Sequence, residues 1–336
     1  MVQGGGPAGD EGSGPAPWKR WLVFGVFVLL GTLIKLTQHK ARELQYNFLC
    51  PIIVISCAKL ACSLLLYARF DGSLGALPAV LAPLGGVILR YSAVSGLYCM
   101  YDVLSFVNLG VFDPQTYLVF LQMRTVLTGA VWEVAFAKRL SWVQRGALML
   151  ICLSCVAKQT DGGLHWSAAA GGSLVSYSLL ALQVACNSLA GVANELLLKG
   201  KGGAPLNLQN AVQYSWTICW CLLVGLLCPL PNVHLNPFDL QEWAKMADLR
   251  MLPNIIVLTV LGLVTSVLLK LLDSVWKAIA TAVELFLTSY ASALIFGYSV
   301  RTSDLLALCV AVLGVGLYAW PGGQVRPKRA AVEKDY

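Results

Sequence analysis

Apolar segments long enough to cross a bilayer recur along nearly the whole chain. A membrane-spanning helix needs about 20 mostly apolar residues, and this chain combines 57% apolar residues with only 12% charged ones. Soluble domains carry roughly 25% charged residues. The composition therefore predicts an all-helical, polytopic membrane protein and excludes a large soluble core. The ten predicted spans are residues 21–36, 48–68, 85–108, 117–137, 142–157, 171–198, 208–228, 252–272, 277–297 and 303–320.

The two chain ends are polar. Residues 1–17 are rich in glycine, proline and acid, which predicts a disordered tail, and residues 321–336 form a basic tail. Residues 18–320 then make one integrated helical domain. A basic flank before the first apolar run also describes a signal peptide, but no small-residue cleavage site follows. We therefore expect a retained first helix that ends before a loop at residues 35–42.

Lysine and arginine are distributed unevenly between the two sides of the predicted spans. The chain ends and the loops after even-numbered spans hold 14 of them, and the opposite loops hold six. Basic loops stay on the cytosolic side of a membrane. We expect both termini in the cytosol, which requires an even number of helices.

The fourth predicted span contains a buried cation. Asp113 before Pro114 is typical of a helix start, and Arg124 interrupts the apolar run that follows. A cation at this depth costs several kcal/mol, so it normally faces a water-filled cavity or a partner. Its guanidinium fork suits phosphate oxygens. The alternative is that Arg124 pairs with Asp102 or Glu133 and only holds helices together.

Other predicted spans also carry polar side chains. Lys59 lies in the middle of the second span, and Tyr98, Tyr101 and Asp102 fall on nearly one face of the third. These positions favour a polar cavity. In the sixth span the polar residues either line a path or hold helices together; they are Gln183, Asn187, Ser188, Asn194 and Glu195. In the seventh span the polar residues are spaced three and four apart, which places them on one face; they are Gln209, Asn210, Gln213 and Tyr214.

Several other functions are disfavoured by the sequence. All eleven cysteines lie in or beside apolar segments and are interpreted as small packed hydrophobic residues. Cys152 and Cys155 lack a second cysteine pair or a histidine to complete a zinc site. We expect no metal, no cofactor and no enzyme activity, because no nucleophile with a base and no phosphate-cradling glycine loop is present. No basic stripe interleaved with aromatic residues indicates nucleic-acid binding.

Two short segments of the chain resemble each other, and this internal echo indicates a fold built from two repeated halves. Residues 124–128 and 277–281 each read as a cation, three residues and a threonine, and each leads into an apolar helix with a glutamate, Glu133 or Glu284. Transporters built from repeats place their site between the two halves, near the membrane midplane.

Taken together, several motifs resemble those of the nucleotide-sugar transporter family, in the branch of the CMP-sialic acid, UDP-galactose and UDP-N-acetylglucosamine carriers. The resemblance covers residues 21–320. Its motifs are Ala58-Lys59-Leu60, Gly96-Leu97-Tyr98, residues 113–144, Leu189-Ala190-Gly191-Val192 with Glu195, Asn210 with Tyr214, and the block from Lys270 through Asp273 and Lys277 to Gly297.

The resemblance implies a drug/metabolite transporter fold of ten helices in two inverted five-helix halves. It also implies exchange of a cytosolic nucleotide sugar for a lumenal nucleoside monophosphate across a Golgi or endoplasmic reticulum membrane. Arg124 and Lys277 fall at positions that meet phosphate. The remaining candidate substrate-binding residues are Lys59, Tyr98, Tyr101, Asp102, Tyr117, Gln122, Asn187, Ser188, Asn210 and Tyr214.

The chain also departs from the family pattern. Tyr101, Asp102 and Val103 stand where the family commonly has a Gln-Asn-Asn run, and Ala193 stands at an aromatic position. The cargo therefore stays open: a UDP-sugar first, CMP-sialic acid second, then another metabolite, or a scaffold role for glycosylation enzymes. The Golgi is the expected membrane and the endoplasmic reticulum the second choice. Small residues in the spans also permit a homodimer.

Overall fold

The computed structural model describes residues 17–41, 44, 46–47, 49–160, 173–200, 204–227, 239–296, 302–320 and 326–327. Of the predicted tail at residues 1–17, only Pro17 is described, and it begins the first helix. Most of the loop before the sixth span, Cys228 and Gly297 also lie outside the described residues. The helices are α1 (Pro17–Ala41), α2 (Leu49–Leu66), α3 (Leu77–Leu81), α4 (Gly85–Leu109), α5 (Pro114–Ala135), α6 (Trp142–Gln159), α7 (Leu174–Leu198), α8 (Leu206–Leu227), α9 (Leu240–Met246), α10 (Leu252–Leu271), α11 (Ser274–Phe296) and α12 (Thr302–Ala319).

Nine helices of the described residues are long and apolar enough to cross a membrane. They are α1, α2, α4, α5, α7, α8, α10, α11 and α12, so the protein is a multi-pass membrane protein. The fifth predicted span coincides with α6, which forms an 18-residue helix but is not among the nine.

Side-chain caps fix several helix starts. The Asp113 carboxylate accepts a hydrogen bond from the Thr116 N–H at 2.9 Å, as its position before a proline predicts. Ser141 and Gln144 form a reciprocal capping box at the start of α6, with distances of 3.1 and 3.0 Å. The turns between spans are therefore defined locally by the sequence.

Two connections between the predicted spans are helical in the structure. The segment predicted as a loop at residues 35–42 continues α1 as far as Ala41, because its leucine, glutamine and lysine residues are good helix formers and no glycine or proline interrupts them. The connection at residues 71–83 contains helical turns and α3, where Pro78 occupies a first-turn position that needs no N–H donor.

The long helices pack in crossed pairs. α2 lies against α8, and α6 lies against α12; α4 contacts α7 and α8, and α1 contacts α10 and α11. At the crossing of α6 and α12, a Cβ added to Gly314 would lie 2.7 Å from the Ile151 side chain and 3.2 Å from the Ala147 carbonyl oxygen. Only glycine allows this approach of the two backbones.

The cysteines are less uniformly packed than predicted. The ten described cysteines are free thiols, and Cys57, Cys219 and Cys309 are exposed on the surface of the bundle. The prediction that all eleven are packed is wrong for these three. Each side chain points away from the packed faces of its helix and therefore stays exposed.

Candidate functional site

Two adjoining cavities lie between the long helices. The first, of about 410 Å³, is bounded mainly by α2, α4, α8 and α10; the second, of about 250 Å³, is bounded by α4, α5, α7 and α11. Tyr98, Asp102 and Lys277 line both cavities. These three residues therefore form the junction between the two cavities.

Each of the two lysines in the first cavity faces a tyrosine ring. Lys59 Nζ lies 5.5 Å from the centre of the Tyr214 ring, and Lys277 Nζ lies 5.5 Å from the centre of the Tyr98 ring. Both distances are within the range of a cation–π interaction. This contact orients each ammonium group at the cavity wall, where the N–H groups that face away from the ring can donate to a ligand.

Lys59 depends on a glycine in the opposite helix. A Cβ added to Gly262 of α10 would lie 2.8 Å from the Lys59 ammonium nitrogen. The lysine side chain occupies the space that any larger residue would need. Gly262 is therefore what lets the Lys59 side chain lie across α10.

The cavity lining has an excess of positive charge. Lys59 and Lys277 line the first cavity and Arg124 lines the second, while Asp102 is the only carboxylate among the described lining residues. No described carboxylate lies within salt-bridge distance of any of the three cations. Three cationic side chains against one carboxylate make the lining suitable for an anionic ligand.

The structure answers the question of a partner for Arg124. Glu133, one of the two alternatives, pairs with Arg145 at 2.9 Å and accepts a hydrogen bond from the Leu140 N–H. Asp102 lines the second cavity with Arg124 but does not form a contact ion pair with it. Pairing with Glu133 is therefore wrong for Arg124, whose guanidinium is directed to the cavity.

The two echo positions differ in their surroundings. Arg124 lies in the middle of α5, whereas Lys277 lies in the first turn of α11. Glu133 pairs near the end of its helix, whereas Glu284 is buried against Gly31 of α1. The prediction that both cations open their helices is wrong for Arg124, although both reach the same cavity.

Eight of the twelve predicted site residues line the two cavities, and four do not. The eight are Lys59, Tyr98, Tyr101, Asp102, Arg124, Asn187, Tyr214 and Lys277. The other four are Tyr117, Gln122, Ser188 and Asn210.

Three of these four residues make buried contacts between or within helices. The Tyr117 hydroxyl accepts a hydrogen bond from Gln183 at 2.7 Å, and Thr128 donates to the Ser188 hydroxyl at 3.1 Å. Gln122 donates to a backbone carbonyl of its own helix at 3.2 Å. Asn210 is buried, and no described group pairs with its side-chain oxygen.

Several lining residues escape the sequence prediction. Thr265 and Ser266 lie within an otherwise apolar run of α10, and Gln38 lies in the part of α1 that was predicted as a loop. Gln213 and Asn194 also line the first cavity. Both carried a signal, because the sequence marks Asn194 as a polar residue of the sixth span and Gln213 as part of the polar face of Tyr214, although neither is among the twelve predicted site residues.

A buried carboxylate closes one end of the site. Glu195 is 0% exposed and accepts hydrogen bonds from the Trp132 indole at 3.2 Å, the Lys199 ammonium at 2.8 Å and the Ser274 N–H at 2.7 Å. Lys199 also donates to the Leu272 carbonyl oxygen. These bonds join α5, α7 and the turn between α10 and α11, and Ser274 lines the second cavity.

Next to this cluster, Asp273 caps the start of α11 by accepting a hydrogen bond from the Trp276 N–H at 2.7 Å. Burial and the neighbouring Glu195 carboxylate raise the pKa of Asp273 to about 6. The Asp273 and Glu195 carboxylates therefore interact electrostatically. This end of the bundle is held by a compact polar network.

A positively charged, tyrosine-lined cavity enclosed by membrane-spanning helices is the kind of site found in membrane carriers of anions. A family model described as nucleotide-sugar transporter matches residues 23–319. Because the match covers most of the chain, the protein belongs to the nucleotide-sugar transporter family.

Named relatives within the family differ in their stated cargo. The UDP-galactose transporter senju of Drosophila melanogaster is 32% identical over 91% of this chain and 87% of its own length. CMP-sialic acid transporter 2 of Oryza sativa subsp. indica is 22% identical over 69% of this chain and 63% of its own length. CMP-sialic acid transporter 3 of Arabidopsis thaliana is 24% identical over 74% of this chain and 61% of its own length. The alignments thus span less than two thirds of these last two proteins.

The fold also matches a solved structure. A crystal structure superposes with a TM-score of 0.65 over 90% of this chain and 96% of that chain, at 12% sequence identity. At this identity the likeness shows a shared fold.

Proposed function

We propose that the protein carries a UDP-sugar, with UDP-galactose as the first candidate, from the cytosol into the Golgi lumen in exchange for UMP. The endoplasmic reticulum is the second candidate compartment. The 32% identity to a UDP-galactose transporter over most of both chains supports a uridine cargo. The carrier role itself follows from the family.

One observation carries the proposal. Lys59, Arg124 and Lys277 reach two adjoining cavities from α2, α5 and α11 without contact ion pairs among the described residues. Desolvating three cations inside a membrane protein is costly. An anionic ligand offsets that cost, and the diphosphate of a nucleotide sugar has a negative charge on each phosphate.

The neighbouring side chains are positioned to contact the parts of the ligand other than its phosphates. Tyr98 and Tyr214 are positioned to contact the ribose, the base or the sugar, since their rings line the cavity beside the two lysines. Asp102 can accept hydrogen bonds from ligand N–H or hydroxyl groups. At the junction of the two cavities, its single negative charge also reduces, without cancelling, the repulsion among the two lysines and Arg124.

The helix packing supports two inverted halves. One half consists of α1, α2, α4, α5 and α6, and the other consists of α7, α8, α10, α11 and α12. The contact of α4 with α7 corresponds to that of α10 with α1, and the contact of α5 with α7 corresponds to that of α11 with α1. The pairs α2–α8 and α6–α12 each join equivalent helices. This pattern supports α6 as a further membrane span beside the nine helices named above, which brings the number of spans to ten. It also supports α6 as the equivalent of α12 in the other half.

The same arrangement supports an orientation with both ends in the cytosol. The strand at Arg326–Pro327 pairs antiparallel with the strand at Lys138–Arg139, which lies between α5 and α6. The start of the C-terminal tail and this basic turn therefore share one side. The excess of lysine and arginine in these loops favours the cytosol.

Exchange follows from the phosphate chemistry of both ligands. A UDP-sugar and UMP can each neutralise the same cations, so either can occupy the site. The empty site keeps its positive charges desolvated and mutually repelling, which disfavours rearrangement without cargo. The two halves then move about the filled site.

The test is uptake into proteoliposomes containing the purified protein. Vesicles are preloaded with UMP, CMP, GMP or buffer, and labelled UDP-galactose, UDP-N-acetylglucosamine, CMP-sialic acid and a GDP-sugar are added outside. We expect UDP-sugar uptake only with internal UMP. Equal uptake from buffer-loaded and UMP-loaded vesicles would refute exchange, and uptake of none of the four by folded protein would refute nucleotide-sugar transport.

CMP-sialic acid is the second candidate cargo. Several relatives of lower identity carry that name, and CMP-sialic acid has a phosphodiester and a carboxylate that would suit the same cations. CMP-dependent uptake of CMP-sialic acid in the same panel would select this alternative.

A further inference from the structure

A smaller cavity lies apart from the candidate site, at the end of the bundle where α1 begins. Its volume is about 170 Å³, and it is formed by α1, α11, the turn before α11 and the end of α12. Sites for drug-sized ligands have volumes of about 300–1,000 Å³, so this cavity suits only part of a ligand. Its lining residues are Arg20, Trp21, Phe24, Leu272, Trp276 and Ala319.

Aromatic rings make most of the wall of this cavity. The Trp276 ring lies 5.5 Å from that of Trp21, at 82°, and 5.7 Å from that of Phe24, at 88°. Tyr318 packs edge-on against the same indole at 5.3 Å. Edge-to-face contacts are the preferred arrangement of aromatic side chains. The wall is therefore apolar and fixed in shape.

The charge at this cavity has one sign. Arg20 is the only charged residue among the described lining residues, and no described carboxylate lies within salt-bridge distance of it. Lys19 is adjacent and lies over the exposed Trp18 ring. An anionic group would thus meet a cation without an internal competitor.

The surroundings of the cavity have the character of a membrane interface. Trp21 is 51% exposed and Trp320, one residue past α12, is 65% exposed. Tryptophan is enriched where a membrane meets water. Basic pockets between spans on the cytosolic side bind anionic lipid head groups.

We propose that this cavity binds an anionic phospholipid of the surrounding bilayer. The lipid phosphate lies against the Arg20 guanidinium, and the first part of an acyl chain packs on Trp21, Phe24 and Trp276. An aromatic wall with a cation at its edge that no described carboxylate pairs matches the boundary between head group and acyl chain.

The lipid site adjoins the polar network that closes one end of the candidate site. Leu272 lines the lipid cavity, and its carbonyl oxygen accepts a hydrogen bond from Lys199, which also pairs with Glu195. A lipid that packs against the turn at Leu272 stabilises the conformation in which that turn is bonded, through Lys199, to Glu195. Bound lipid therefore raises the thermal stability of this conformation by mass action.

The test compares lipid retention by the purified full-length protein. Detergent-solubilised protein is supplied with equal amounts of phosphatidylserine and phosphatidylcholine, and the bound lipid is measured by native mass spectrometry. We expect preferential retention of phosphatidylserine. Arg20→Gln should weaken that retention roughly five-fold, the usual effect of one basic residue at an anionic membrane surface.

Two further variants separate the site from general surface charge. Lys19→Gln removes the same charge one residue away, outside the cavity lining, and should retain the lipid nearly as well as the wild type. Ala319→Phe fills the cavity without a change of charge and should lose the lipid as Arg20→Gln does. Each variant is first checked for a single sharp melting transition.

The outcomes are decisive in both directions. Equal losses in Arg20→Gln and Lys19→Gln, or full retention in folded Ala319→Phe, would overturn the proposal. If Arg20→Gln does not fold, the comparison of Ala319→Phe with the wild type decides alone. Lipid retention is measured without transport, so the result does not depend on which cargo the protein carries.

Discussion

Replacing Glu195 by glutamine should destabilise the protein more than an equivalent change at any other ion-paired carboxylate described above. The Glu195 carboxylate is 0% exposed and accepts three hydrogen bonds, one of them from the charged Lys199. Glutamine has the same shape but only one acceptor oxygen, and its NH₂ group would face N–H donors. A donor of Trp132, Lys199 or Ser274 would lose its partner.

The size of the effect follows from burial. Breaking a buried ion pair by removing one partner typically costs about 3–5 kcal/mol, and a hydrogen bond to a charged group contributes about 1.5–3 kcal/mol. Since Lys199 is 32% exposed and can regain water, we expect the lower end, roughly 3 kcal/mol. The loss should appear as a lower melting temperature of the purified protein.

A matched control is available in the same chain. Glu133 is 18% exposed and pairs with Arg145, which is 38% exposed, so Glu133→Gln changes the same group at the edge of the bundle. We expect a cost of about 1 kcal/mol for this partly exposed pair, because Arg145 can regain water and the remaining amide oxygen can still accept from the Leu140 N–H. Equal melting temperatures for Glu195→Gln and the wild type, or a larger loss for Glu133→Gln, would refute the reasoning.

Two further predictions concern the cavity itself. Arg124→Gln should abolish exchange while the protein stays folded, because no described carboxylate loses a contact partner. Arg145→Gln removes a cation outside the cavity and should retain exchange. Uptake into proteoliposomes compares the two variants. Gly262→Ala should lower ligand affinity without a change of charge, because the added methyl group displaces Lys59 from its place against α10. Gly25→Ala meets open space and should bind as the wild type does; equal affinities of the two glycine variants, measured by nucleotide-induced thermal shift, would contradict this role of Gly262.

Much of the fold could be predicted because the apolar runs are long and their ends carry local signals. Asp113 before a proline marks the start of α5, and the structure shows its cap. The end of α1 was missed because residues 35–41 are polar but remain good helix formers. Helix formation there depends on local propensity, which polarity alone does not report.

The candidate site was predictable where a charged residue interrupts an apolar run. Arg124 and Lys59 stand out for that reason, and the structure places both in the cavity lining. Hydroxyl groups such as Thr265 are cheap to place in a span and carry no comparable signal.

Tyr117 shows that a polar residue in a span can bond to a neighbouring helix instead of lining the cavity. Its ring lies in a span beside other site residues, yet its hydroxyl is bonded to Gln183 of α7. Which face of a helix meets the cavity depends on packing between distant segments. The roles of the site residues, the exchange mechanism and a homodimer stay predictions.

In the proposed mechanism, Lys59, Arg124 and Lys277 bind the phosphate of the cargo. The most direct measurement compares the affinity of the purified protein for UMP with its affinity for uridine, which has the same base and ribose but no phosphate. We expect the wild type to bind UMP much more tightly than uridine. The ratio of the two affinities should fall at least about ten-fold in Lys277→Gln, as expected for the loss of a hydrogen bond to a charged group. An unchanged ratio in folded Lys277→Gln and Arg124→Gln would contradict the account.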